Sequence, residues 1–210
     1  MIKLYYLPGA ASLAPHGCLE ETEAEYELVR IVREDGILVE PTNYLDIQPE
    51  GRVPALVDGE IVTYEAAAVC MYLSDRFPQA NLAPTTDLAG RAAWYRWHVY
   101  FTNTVQADFM NVFAPGRSLD SEAGKSELEA GARDRLRATG EWLEAELAQA
   151  GDYLVGGRFS SADLFLAMLT RWGRGLDSPW WDAPNLGAHY RRVTERPSMQ
   201  RVYQQQGLED

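Results

Sequence analysis

The run Gln48-Pro-Glu-Gly-Arg-Val-Pro-Ala-Leu-Val57, followed by Thr63-Tyr-Glu-Ala-Ala-Ala68, holds the residues of this chain best suited to chemistry. Proline has no backbone N–H, so Pro54 inside a strand-like run cannot donate to a sheet ladder. The Val53–Pro54 bond is a candidate cis peptide, a form that costs little before proline and usually sits in a tight turn. Val53 then leaves its N–H and C=O free for another extended backbone, such as a small peptide. Glu65 stands at a helix start, where a first-turn acid is favourable and the first N–H groups suit an anion. Two hydroxyls lie near the N-terminus. Tyr6 ends an apolar run and reads equally as a packed tyrosine with its hydroxyl satisfied. Ser12 precedes a helical pattern and can cap it.

Other reactive side chains are scattered. His16, His98 and His189 lack metal-ligand spacing, so no metal site is expected. Cys18 and Cys70 form no CxxC motif and read as small buried hydrophobes in a reducing cytoplasm.

Several elements must position these residues. Ile2 to Leu7, stopped by Pro8-Gly9, reads as a buried strand, and a helix runs from Ser12 through Leu13, His16, Leu19 and Glu20. Tyr26 to Val32 alternates as a second strand, completing a strand–helix–strand unit with a right-handed parallel crossover. Ala55 to Val57 and Ile61 to Thr63 flank the turn signal Asp58-Gly59. A helix follows from Glu65 to Phe77, with Ala68, Met71, Tyr72 and Phe77 as its apolar face, and Pro78 ends it.

After Asn81-Leu-Ala-Pro84 the pattern becomes helical throughout. Arg91 to Phe113 is long and aromatic-rich, and Leu128, Ala132, Leu136, Leu143 and Leu147 mark another helix. Ser160 and Asp163 form a start signal before Leu164 to Leu169, a helix apolar nearly all round and expected at the centre of an all-helical domain. Trp180-Trp181 is expected to cover that core. The fold class is therefore α/β plus all-α: a βαβ–ββα layered domain over residues 1–80, then a helical domain over 87–210.

With 210 residues the chain can bury a substantial core. Its 19 basic and 31 acidic residues give a formal charge of −12, which argues against nucleic acid as a partner. No apolar run is long enough to span a bilayer, and the N-terminal apolar run breaks at Pro8 before a signal region could form. A cytoplasmic location is expected.

The unit with Val-Pro before its third strand, joined to a helical domain, resembles the glutathione transferase superfamily, and the bacterial beta-type group within it. The resemblance rests on Lys3-Leu-Tyr-Tyr-Leu-Pro-Gly-Ala-Ala-Ser-Leu-Ala14, Gln48-Pro-Glu-Gly-Arg-Val-Pro-Ala-Leu56, Phe159-Ser-Ser-Ala-Asp163 and Glu195-Arg-Pro197, and covers essentially the whole chain. It implies a thioredoxin-like N-terminal domain, glutathione as co-substrate without a metal, a homodimer, and a detoxifying transfer of glutathione thiolate to an electrophilic apolar substrate. It also implies that Val53, held by cis-Pro54, pairs with the cysteinyl unit. Glu65 takes the γ-glutamyl ammonium, the N–H groups around Ala66 face the glutamyl carboxylate, and Arg52 assists the glycyl carboxylate. A hydroxyl favours the thiolate by bonding the charged form, with Ser12 the first candidate and Tyr6 the second.

The chain departs from that group at several places. Ala11 replaces a common cysteine and excludes mixed-disulfide chemistry there. Gln106 and Ala107 replace a frequent His-Lys pair, Val99 stands where a polar residue is common, and Ala66 where many members carry a hydroxyl. Val99, Asn103, Gln106 and Met110 share one face of a uniform helix and could line the second-substrate site. These losses leave two alternatives open: a non-catalytic glutathione-fold module, or another glutathione-dependent reaction such as peroxide reduction or dehalogenation.

Overall fold

The computed structural model describes residues 1–34 and 37–209. The chain divides into two compact units, one formed by residues 1–85 with 194–210 and the other by residues 86–193.

In the first unit, β1 (Ile2–Tyr6) leads into α1 (Leu13–Thr22) and then β2 (Tyr26–Arg30), which pairs with β1 in parallel. The parallel strand–helix–strand unit is as the sequence predicts. The second strand, however, does not run on to Val32. Ile31, 1% exposed, turns into the core and donates its N–H to the Tyr6 carbonyl at 2.9 Å. Beyond it β3 (Val32–Glu34) pairs antiparallel with β4 (Ile37–Glu40) in a separate small sheet that the sequence reading missed.

β5 (Ala55–Asp58) and β6 (Ile61–Tyr64) form the expected hairpin, and the main sheet has the order β2-β1-β5-β6. Asp58 pairs with Ile61, so the two turn residues are Gly59 and Glu60, with Gly59 at φ 62°. α2 (Ala66–Arg76) follows. Its buried residues are Ala66, Ala67, Val69, Cys70, Leu73 and Ser74, whereas Ala68, Met71, Tyr72 and Phe77 are only half-buried. The predicted apolar face is thus corrected by rotation about the helix axis. Small residues face inward because α1 and α2 pack together, and the Tyr72 hydroxyl instead reaches the Asp58 carboxylate at 2.8 Å.

The sequence division places residues 194–210 with the helical domain, but the last helix returns to the first unit. The reason is charge pairing with α1. Arg196 makes a bidentate pair with Glu21 at 2.7 and 2.8 Å, and Arg201 donates to Glu20 at 2.5 Å.

In the second unit, α3 (Leu88–Tyr100) passes through one π turn (Phe101–Val105) into α4 (Gln106–Phe113). α5 (Glu122–Ala150), α6 (Ser161–Trp172) and α7 (Pro184–Thr194) complete the bundle. All twelve residues of α6 are buried, matching its uniformly apolar sequence. The Asp163 carboxylate, 0% exposed, accepts from the N–H groups of Ser160 and Leu154 at 2.9 Å each and meets His189 Nε2 at 3.0 Å. A residue in the first turn thereby satisfies the helix start and ties two other segments to it.

Along α5 the buried positions are Ala132, Leu136, Gly140, Leu143 and Leu147. Gly140 fills the gap in the predicted apolar series because Trp180 occupies its side-chain space: a Cβ there would lie 2.5 Å from Trp180 Nε1. Trp180 is 3% exposed and covers the core as expected. Among the described residues, no helix is long and apolar enough to cross a membrane.

Candidate functional site

Alternation along β1 separates two sets of neighbours. Tyr5 enters an apolar cluster with Ile31, Tyr44 and Ala55. Tyr6 points the other way, and its ring lies 6.5 Å from that of His16 on α1.

The Val53–Pro54 bond is cis. Val53 packs its side chain against the Tyr5–Tyr44 cluster and is half-buried. Among the described residues its N–H and C=O have no hydrogen-bond partner, so this peptide edge is open to an incoming strand-like ligand. The neighbouring peptide is held firmly. Arg52 N–H donates to Gln48 Oε1 at 2.9 Å, and the Tyr44 hydroxyl donates to the Arg52 carbonyl. Burial is the leading reason why the Tyr44 hydroxyl titrates well above the ordinary tyrosine range. The sequence reading quoted Gln48 as part of a motif but missed this clamp. Its signal was a glutamine four residues before a peptide that must stay fixed.

Glu65 is exposed and precedes α2 with φ 71° and ψ 121°. That conformation is rare for any residue with a Cβ and costs on the order of 1–3 kcal/mol; such strain gathers at binding sites. It places Glu65 directly before the first N–H groups of α2, where the first intrahelical bond runs from Val69 N to the Glu65 carbonyl at 2.9 Å. Ala66 and Ala67 are buried and carry no hydroxyl. Carboxylate, unpaired N–H groups and open peptide edge together can hold a zwitterionic end and an extended backbone. Arg52 is exposed and already pairs with Glu50 at 2.9 Å. A pair so exposed is weak, so the guanidinium can exchange partners.

The two hydroxyls differ sharply. Ser12 is 0% exposed and makes no cap bond to α1; its backbone is already helical, at φ −75° and ψ −8°. A capping side chain needs an extended backbone at that position, so the expected cap does not form. The Ser12 hydroxyl instead accepts from Leu7 N–H at 3.3 Å and donates to the Leu7 carbonyl at 3.2 Å. Tyr6 is 8% exposed, and its hydroxyl has no partner among the described residues. The Ser12 proton is thus committed to Leu7, whereas the Tyr6 proton has no partner among the described residues.

His16 is 0% exposed and lies in a polar network rather than on a simple helix face. Burial lowers its pKa from 6.5 to about 4 despite hydrogen bonding to Gln205 and the nearby Glu20 charge. Burial alone would raise the Glu20 carboxyl, but hydrogen bonds from Tyr26, Arg201 and Gln205 outweigh it and hold the group below its ordinary range. Cys18 and Cys70 are both buried thiols, and neither is in a disulfide among the described residues.

The second-substrate candidates lie around the π turn. A π turn uses one residue more than an α turn, as the Gln106 N–H to Phe101 carbonyl bond records. Residues beyond it are rotated relative to a uniform helix. Val99 and Asn103 are exposed, whereas Gln106 and Met110 are half-buried, and Thr102 donates to Gln106 Oε1 at 3.4 Å. Two of the four candidates are thus exposed and two are half-buried.

Residues 1–75 match the N-terminal domain family of glutathione S-transferases, and residues 104–192 match their C-terminal domain family. A sphingomonad glutathione S-transferase structure complexed with glutathione is 30% identical, with 99% of this chain and 100% of that chain covered and a TM-score of 0.84. This chain belongs to the glutathione S-transferase superfamily. It is similar to the bacterial beta-class enzyme of Sphingomonas chungbukensis, with 29% identity, TM-score 0.86 and coverage of 99% and 100% of the two chains. It is also 29% identical to glutathione S-transferase GstA of Escherichia coli O157:H7, over 99% of this chain and 100% of that protein. In this superfamily member the open Val53 edge and the strained Glu65 fall inside the matched N-terminal domain, while the π turn crosses the start of the matched C-terminal one.

Proposed function

We propose that this protein is a glutathione transferase that adds the thiolate of glutathione to an electrophilic apolar substrate. The observation that carries the reading is the unbonded Val53 peptide beside cis-Pro54, in a chain whose whole length aligns with glutathione S-transferases. Glutathione is the co-substrate. Val53 pairs with its cysteinyl unit, Glu65 takes the γ-glutamyl ammonium, and the N–H groups at Ala66 and Ala67 receive the adjacent carboxylate. Arg52 exchanges Glu50 for the glycyl carboxylate.

The thiolate is the nucleophile, and a hydrogen bond to the charged sulfur favours it. The unpartnered Tyr6 hydroxyl supports Tyr6 as that donor. The two bonds between Ser12 and Leu7 support a structural part for Ser12, which holds the loop that follows Tyr6. Asn103, Gln106 and Met110 contribute to the second-substrate surface, with the exposed Asn103 and the half-buried pair presenting a mixed polar and apolar lining. Orienting two reactants and stabilising one anion supplies most of the rate in such a site.

A cytoplasmic, detoxifying homodimer is the setting this reading favours. Two buried cysteines kept as thiols fit a reducing compartment. The exposed Ile61, Val62 and Tyr64 on β6, and Leu88, Tyr95 and Val99 on α3, are apolar surface that a second copy can cover.

Retention on immobilised glutathione tests the binding claim, and no binding at millimolar ligand would sink it. Conjugation to a general aromatic electrophile tests the transfer. Binding without conjugation would favour a glutathione-fold binding module, and turnover of a peroxide or a halide substrate alone would reassign the reaction.

A further inference from the structure

We propose that Gln206, on the C-terminal helix α8 (Pro197–Gln206), is a positioning residue for the thiol end of the glutathione site. The proposal rests on the transferase reading above, since it concerns the loop between β1 and α1 that follows Tyr6 and contains Ser12.

Gln206 is 5% exposed and spends both ends of its amide on that region. Its Oε1 accepts from Gly9 N–H at 3.0 Å, and its Nε2 meets His16 Nδ1 at 2.9 Å. A backbone N–H can only donate, so the amide orientation is forced. His16 Nδ1 must then accept, which puts the imidazole proton on Nε2. Nε2 faces Gln205 Oε1 at 2.8 Å and the Tyr26 hydroxyl at 2.9 Å. Gln205 Nε2 donates in turn to Glu20 Oε1 at 3.0 Å, and the Tyr26 hydroxyl donates to the same carboxylate oxygen. Arg201 closes the end by donating to Glu20 Oε2 at 2.5 Å.

Every link has the same polarity. Gly9 donates to Gln206, Gln206 to His16, His16 to Gln205, and Gln205 to the Glu20 carboxylate. Both termini of the chain admit only one direction, because a peptide N–H cannot accept and an ionised carboxylate cannot donate. Such chains strengthen each bond within them. The consequence lies at Gly9, whose backbone has φ 66° between Pro8 and Ala10. Bonds from both near and far hold that loop. Ser12 grips Leu7, Ala10 N–H reaches the Leu7 carbonyl at 3.2 Å, and Gln206 grips Gly9. Gln206 is the one of these that comes from far along the chain, and it sets where the loop stands relative to Val53 and Glu65.

The test compares Gln206→Met and Gln206→Glu in the full-length protein. Gln206→Met removes both bonds at similar volume; a loop displaced by about an ångström lowers kcat roughly tenfold to hundredfold. The KM for the electrophile should hold, and the ultraviolet thiolate signal of bound glutathione should titrate at higher pH than in the wild type. Gln206→Glu keeps an acceptor for Gly9 and loses the donor to His16, so it should recover most of the lost kcat while remaining no more stable than the Met variant. In the wild type itself, the Gly9 amide should exchange slowly with deuterium. A fast-exchanging Gly9 amide would overturn the proposal even if the variants fail to fold. So would a Met variant with unaltered kcat and thiol titration, or equal kcat losses in both variants. If the wild type retains no glutathione, the transferase reading falls and this proposal with it; a normal wild type with indifferent Gln206 variants removes this proposal alone.

Discussion

Replacing Ser12 by alanine and Tyr6 by phenylalanine separates two jobs that sequence alone assigns to one kind of residue. The Ser12 oxygen is sealed from solvent and bridges the N–H and C=O of Leu7 at 3.3 and 3.2 Å. In Ser12→Ala the Leu7 carbonyl keeps a partner, the Ala10 N–H at 3.2 Å, but the Leu7 N–H is left unpaired. An unsatisfied donor costs about 1–3 kcal/mol when fully buried, and the long bond to a half-buried Leu7 favours the lower half of that range. For a chain of this length that is a drop in Tm of about 2–8 °C. The chemistry of the remaining folded protein should be nearly intact. Tyr6→Phe removes a hydroxyl with no protein partner, so stability should move by less than about 0.5 kcal/mol. A hydrogen bond to a thiolate is worth about 1.5–3 kcal/mol, which is roughly a tenfold to hundredfold loss in kcat/KM. Thermal unfolding and steady-state conjugation of glutathione to chlorodinitrobenzene read the two effects independently. A Ser12→Ala protein as stable as wild type but slowed tenfold, beside a fully active Tyr6→Phe, would refute the reasoning and return the thiol to Ser12.

Glu65→Gly should relieve the backbone cost of φ 71°, raising stability by about 1 kcal/mol, while loss of the charged partner weakens glutathione about tenfold to hundredfold by calorimetry; a variant with no gain in Tm would show the conformation is unstrained. His16 is neutral when folded, with its pKa near 4, and protonates near 6.5 when unfolded, so the unfolded state binds more protons between those values. Stability must therefore fall as the pH drops from about 6.5 to 4, by up to about 3 kcal/mol for this group, and the depressed Glu20 carboxyl acts in the same direction. Urea midpoints at pH 7 and 4.5, compared between the wild type and His16→Gln, should show a shallower pH slope in the variant; equal slopes would exclude His16 as a source. Gly140→Ala should cost about 1–3 kcal/mol by chemical denaturation, because its Cβ would lie 2.5 Å from Trp180 Nε1, and a neutral result would mean that Trp180 moves freely.

Local rules made part of this protein legible. The parallel β1–α1–β2 unit, the β5–β6 hairpin, the end of α2 at Pro78 and the buried α6 all follow from signals spanning a few residues. Periodicity, a turn glycine, a proline and a continuous apolar run each act within one element. The cis Val53–Pro54 bond was legible for the same reason, since the consequences of Pro54 for its own backbone and for Val53 need no distant partner. The errors arose where one local pattern fits two arrangements. The apolar face of α2 was placed one step around its axis because alanines, cysteine and serine pack inward against α1, whereas Tyr72 has a better use for its hydroxyl at Asp58. Uniform periodicity from Val99 to Met110 could not register a single π turn, because one extra residue leaves each short stretch helical while rotating everything beyond it.

By itself, then, the sequence pointed to the cis Val53–Pro54 bond, to Glu65 at the start of a helix and to the segments that form the two units' central elements. Tertiary structure decided which hydroxyl is committed, because Ser12 meets Leu7 whereas Tyr6 has no hydrogen-bond partner among the described residues. It also decided that the final helix belongs with α1, through Arg196, Arg201, Gln205 and Gln206 acting on Glu21, Glu20, His16 and Gly9. Those partners are nearly two hundred residues apart, with separations of 175 to 197 positions. A hydrogen bond is set by distances of a few ångströms in space, and no pattern of neighbouring residue types records which remote atoms the folded chain brings that close.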